Sequence, residues 1–246
     1  MRAQARVTRT DVGLPAGGRS RGNGNRRDVA KVSGMLLTLL LLVVFLASVA
    51  MLWNEGMWSN AVTCVNVALA AMVATNYFEP LAAWLDHQMP SYTYLWDFLA
   101  LWGLFTVTLS VTRALTDKLS RYRVRFKMPV EQAGRVLLAV WASWMLVCFV
   151  TMSLHTAPLA LHPFRGSFQQ EPLSNNFLGL APDRQWLAFI HSRSRGALSR
   201  GDAQAGSPYA EDAGQRVFDP QGEFILKYGS RRANLEQEPE MRVLRN

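Results

Sequence analysis

The sequence predicts an all-α polytopic membrane protein with about four transmembrane helices, a disordered basic N-terminal arm and a small polar C-terminal tail. Two observations carry this. Half of the 246 residues are hydrophobic and only 18% are charged, and the hydrophobic excess is concentrated between about residues 32 and 160 rather than spread evenly. The 26 Lys and Arg fall into three groups: eight in residues 1–31, seven in 113–135 and eleven in 157–246. The apolar region is otherwise without positive charge, so the chain divides into an arm (1–31), a membrane domain (32–160) and a tail (161–246).

The arm, with "LPAGGRSRGNGNRR", has the Gly, Asn and Arg content of a disordered segment. Arg26, Arg27 and Lys31 precede the first apolar run, and the positive-inside rule then keeps the arm cytoplasmic. "VSGMLLTLLLLVVFLASVAMLW", residues 32–53, carries no charge over 22 positions, enough to cross about 30 Å of hydrocarbon at about 1.5 Å per residue. Ser48-Val49-Ala50 offers a signal-peptidase site and "RRDVAK" a faint twin-arginine pattern. The apolar stretch is longer than a signal core and the arm is long, which favours a retained anchor.

Residues 57–78 are less hydrophobic, with Ser59, Thr63, Asn66, Ala70 and Ala74 on one helical face, a pattern suited to close helix packing in lipid. "EPLAAWLDHQMP", residues 79–90, reads as a separate interfacial helix with Pro80 in its first turn. Residues 92–115 open on an aromatic belt of Tyr92, Tyr94 and Trp96, followed by Gly103, Thr106, Ser110 and Arg113 at steps of three or four. Residues 134–158 are the last apolar run, ended by Pro158. In the tail, residues 181–199 predict a short amphipathic helix with Trp186, Phe189, Ile190 and Arg193 at helical spacing. Residues 217–229 predict a turn followed by a strand, and 200–216 and 232–246 predict disorder. Such a tail is too small and too polar for a large core of its own.

This order of parts resembles the CvpA family of bacterial membrane proteins, named for colicin V production, over about residues 35–160. The elements are two apolar helices joined by a short turn containing Gly56, the amphipathic "FEPLAAWL", a third span ending in "RALTDKLSRYRV", and "VEQAGRVLLAVWASW" opening the fourth. Glu131 and Gly134 match the family's acidic residue followed by glycine. Leu138 stands where a second small residue is usual, and Glu55-Gly56 where the family tends to have Arg-Gly. The resemblance implies a multi-pass protein of the bacterial inner membrane, linked genetically to export of a peptide toxin, with an accessory role in envelope function or secretion.

The residues expected to matter are those of the packing stripes and the boundary charges: Gly56, Thr63, Asn66, Asp97, Gly103, Thr106, Ser110, Arg113 and Gly134. Interhelical packing is the favoured reading of the stripes; the sharper alternative is a polar path for an ion or solute lined by Thr63, Asn66, Thr106 and Ser110. Asp97 and Arg113 are sixteen residues apart, roughly 24 Å along a helix, which places each near an interface. His87, His155, His162 and His191 do not cluster, no cofactor motif is present, and no serine elbow, phosphate loop or carboxylate pair suggests an enzyme. Cys64 and Cys148 lie in apolar segments and are expected to pack rather than pair. The net charge of +8 flanks apolar runs, so the expected partners are the lipid bilayer with its anionic headgroups, and other membrane proteins or a second copy, but not nucleic acid.

Orientation leaves two arrangements open. If all four runs cross and the arm is cytoplasmic, the loop at 118–131 lies outside against its positive charges. If residues 57–90 form a re-entrant hairpin, the loop returns to the cytoplasm and the tail lies outside. The family resemblance favours four spans.

Overall fold

Each apolar run becomes one long helix. A computed structural model describes residues 22–119, 127–159, 177–194, 218–219 and 221–237. Its helices are α1 (Gly22–Trp53), α2 (Met57–Gln88), α3 (Thr93–Leu119), α4 (Met128–Thr156), α5 (Pro182–Arg193) and α6 (Phe224–Gln237). The first four are long and apolar enough to cross a membrane. Among the described residues there is no strand, only an isolated bridge between Phe177 and Leu180. The arginines at 121, 123 and 125 and the segment 200–216 lie outside the described residues.

α2 is the central helix, with α3 and α4 against it and α1 packed on α4. The α1–α2 turn, the end of α3 and the start of α4 gather at one end of the bundle, the loop end. The α2–α3 turn, the end of α4, α5 and α6 gather at the other, the tail end. Ala70, Ala71, Ala74 and Ala82 let the helices approach, and Phe78, Leu101, Phe105, Phe149 and Met152 fill the space between them. In lipid this close packing supplies dispersion contacts rather than hydrophobic burial. Leu36, Leu39, Val43 and Leu46 of α1 and Leu99, Val107 and Val111 of α3 point outward. So much apolar surface would be untenable in water and is ordinary against acyl chains.

Several sequence expectations are corrected. α1 starts at Gly22, so the last ten residues of the basic arm are helical rather than disordered; propagation of an existing helix costs little per residue compared with nucleation. Residues 79–88 do not form a separate interfacial helix, because α2 continues through Pro80 to Gln88. The proline removes one helical hydrogen bond, and the buried Phe78 and Ala82 on either side of it hold the helix together. An unbroken α2 of 32 residues, about 48 Å long at 1.5 Å per residue, does not turn back on itself, which removes the re-entrant hairpin. Its last third instead projects beyond the length needed to span. α4 starts at Met128 rather than 134, with Pro129 in its first turn.

The tail is corrected twice. Residues 224–237 are helical, not a strand with a disordered end. Asp219, at φ +47°, accepts from the Glu223 and Phe224 amides at 2.9 and 3.1 Å and so starts α6 where a strand was expected. The tail also shares the bundle's core: Trp186, Ile190, Phe218, Phe224 and Tyr228 join the same buried cluster as Phe78 and Phe149. α5 falls within the amphipathic helix expected there, with Trp186 and Ile190 buried and Phe189 and Arg193 exposed.

Candidate functional site

At the loop end, three helices meet around short polar contacts. Gly56, the N-cap of α2, has no side chain to offer its first turn, and Glu131 of α4 does so instead, accepting from the Met57 amide at 3.0 Å. The carboxylate satisfies an orphan donor and faces the positive end of the helix dipole. A Cβ on Gly56 would sit 3.3 Å from that carboxylate, and one on Gly134 would meet the Met57 side chain at 2.1 Å. One turn on, the buried Asn60 amide donates to the Leu52 carbonyl at 3.2 Å and the Arg135 carbonyl at 3.1 Å, tying α1, α2 and α4 together. Asn60→Ala is expected to lower bundle stability by about 1–2 kcal/mol, read as a shift in the midpoint of detergent-induced unfolding.

The stripe residues separate into two groups. Asn66 donates to Thr116 Oγ1 at 3.0 Å and Thr63 Oγ1 accepts from Arg113 at 3.1 Å, so the polar face of α2 is used against α3. Arg113 also pairs with Asp117 at 3.6 Å and is half exposed. Gly103, Thr106 and Ser110 lie on the outward face of α3, where Ser110 donates back to the Thr106 carbonyl at 2.8 Å. The four residues of the supposed path therefore do not face a common interior. Cys64 and Cys148 are free thiols.

At the tail end, ionisable groups are drawn into the junction between tail and bundle. Asp97, in the second turn of α3, is buried, accepts from the Tyr228 hydroxyl at 3.2 Å, and pairs with Arg231 of α6. The other arm of the Arg231 guanidinium donates to the Thr93 carbonyl at 2.5 Å. Lys227 bridges to Glu79 on the projecting part of α2 at 2.8 Å. Burial, reinforced by the Asp97 carboxylate, pushes the Tyr228 phenol upward, so it remains a neutral donor.

The second cluster lies deeper. His155 Nε2, near the end of α4, is 2.9 Å from Asp183 Oδ2 in the first turn of α5, and both side chains are 1% exposed. Asp183 Oδ1 accepts from the Arg184 amide at 2.9 Å, Arg232 of α6 donates to the His155 carbonyl at 2.9 Å, and Trp186 donates to Thr75 of α2 at 3.0 Å. Burial acts to raise the Asp183 carboxyl, but the hydrogen bond and charge of His155 outweigh it and hold the group below its ordinary value. A depressed carboxyl stabilises docking above its unfolded pKa, and that contribution disappears as pH falls through the lower folded value. A spin-label pair at the exposed Trp84 and Leu226 positions is therefore expected to give one sharp distance at neutral pH and a broadened one only below about pH 3.8.

Sequence reasoning placed Asp97 near an interface and missed its partner, because Arg231 lies just past a segment expected to be a strand, 134 residues away in sequence. His155 and Asp183 were missed because the search for metal spacing asked for a cluster, and among the described residues no three His, Cys, Asp or Glu come together as metal ligands. The helical spacing of Phe224, Tyr228, Arg231 and Arg232 was the available signal. With the fold and these contacts defined, no family model, curated protein or solved structure matches the chain.

Proposed function

We propose that this chain is a non-catalytic integral protein of the bacterial inner membrane, similar to the colicin V production family, with an accessory role in envelope function or secretion exercised through packing with other membrane proteins or with itself. The carrying observation is the separation of the polar stripe. Thr63 and Asn66 are used inside the bundle while Gly103, Thr106 and Ser110 are presented outward by α3, the helix that packs chiefly on α2. Small residues on an outward face are what a neighbouring transmembrane helix packs against. The short turn at Gly56, closed by Glu131 on the Met57 amide and by Gly134 against the Met57 side chain, supports the family reading. The bilayer and its anionic headgroups are the surrounding partner for the basic arm and loop.

The alternative, a small transporter or channel, draws support from the ionisable residues Asp97 and His155 in the helices. Mild detergent extraction followed by native mass spectrometry separates the two: the proposal expects defined protein partners or a homo-oligomer. A solute flux through the purified protein in liposomes, abolished by Asn66→Leu, would overturn it. Under the packing reading, Asn66→Leu instead costs about 0.6–1.7 kcal/mol of bundle stability with no flux to lose, measured by the same detergent titration as for Asn60.

A further inference from the structure

A cleft between the end of α4 and the second half of α6 is not used by the docking contacts in the way its chemistry allows. Tyr94, Thr156, Pro158, Arg231, Arg232 and Leu235 are among its lining residues. Arg232 is only 4% exposed. Its Nη1 donates to the His155 carbonyl, one of five available N–H donors, and its Nε is buried without an acceptor. Among the described residues no carboxylate pairs with it. Arg231 beside it is already engaged by Asp97 and the Thr93 carbonyl. A buried guanidinium with an Nε–H that has no acceptor and no counter-ion among the described residues is costly unless an anion completes it.

The position of the cleft narrows the choice of anion. Tyr94 stands in the first turn of α3 beside Tyr92 and Trp96, whose rings are 6.3 Å apart and form the aromatic belt. Pro158 follows the end of α4. The cleft therefore lies at headgroup level, where phosphate oxygens are abundant and match a guanidinium fork. Capping the end of α4 uses Nη1 of Arg232 and leaves its Nε without an acceptor.

We propose that this cleft binds the phosphate group of an anionic phospholipid through Arg232, with Leu235 and Pro158 at its rim against the lipid's apolar part. The site rests on α1–α4 spanning the bilayer and is independent of whether the protein acts as a packing partner or a transporter. The full chain, reconstituted in phosphatidylcholine nanodiscs containing a minor share of phosphatidylglycerol, is transferred to detergent and its retained lipid measured by native mass spectrometry. Phosphatidylglycerol is expected to be retained over phosphatidylcholine, and Arg232→Gln and Leu235→Glu each to reduce that preference about tenfold. The Trp84/Leu226 spin-label distance reports whether the tail stays docked; should Arg232→Gln broaden it, Leu235→Glu decides. No preference in the parent protein, or an equal preference in all three, overturns the proposal. Displacement of the lipid by millimolar inorganic phosphate overturns the lipid as the source and assigns the site to free phosphate.

Discussion

Asp183→Ala is expected to release α5 from the end of α4 and to cost about 3–5 kcal/mol of tail docking. The reason lies in what remains. His155, 1% exposed like its partner, would lose the group opposite its Nε2 while still enclosed by α4, α5 and α6. Removing one member of a buried pair leaves the other desolvated without compensation, which is far more costly than removing both. His155→Leu combined with Asp183→Leu is accordingly expected to recover most of the loss, and the coupling in the double-mutant cycle measures the pair itself. The readout is the spin-label distance between positions 84 and 226: broadened in the single variant, near the parent value in the double.

Arg231→Ala should be the next largest, about 2–3 kcal/mol, smaller because the Arg231 side chain is 27% exposed and partly hydrated. Asp97 keeps only the Tyr228 hydroxyl, and α6 loses its bond to the Thr93 carbonyl. Adding Asp97→Asn removes the stranded charge and is expected to restore part of the loss. Adding Glu79→Gln to Arg231→Ala is expected to be nearly silent, because the Lys227 bridge is half exposed and exposed pairs contribute little. The contrast between these two doubles shows that burial, and not the number of ion pairs, holds the tail.

The membrane helices were legible because lipid imposes one rule on every residue. A span needs about 20 apolar positions, and hydropathy alone locates it. Their ends were less legible: α4 begins six residues before its apolar run and α2 passes through Pro80, since ends are set by capping and by neighbours. Asp97 stood out as the only acidic residue in its segment, yet its partner lies 134 residues away in sequence, beyond any periodicity argument. The strand expected at 217–229 failed for a similar reason. "FILKY" favours a strand locally, but capping by Asp219 and the spacing of Phe224, Tyr228 and Arg231 across one face make helix the state that can bury them. The polar composition of the tail gives no hint that Trp186, Phe218 and Phe224 complete their burial against the bundle.

The central claim is a four-span bundle with the tail docked at the end that α1 enters. It is tested by labelling single cysteines at Ser20, Arg123 and Gly206, one at a time, in intact cells and inverted vesicles, with Cys64 and Cys148 replaced. The arrangement predicts that positions 20 and 206 react from the same face and position 123 from the opposite one. Labelling of positions 20 and 206 from opposite faces would mean that one long helix does not cross, and would contradict both the bundle topology and the lipid site built on it.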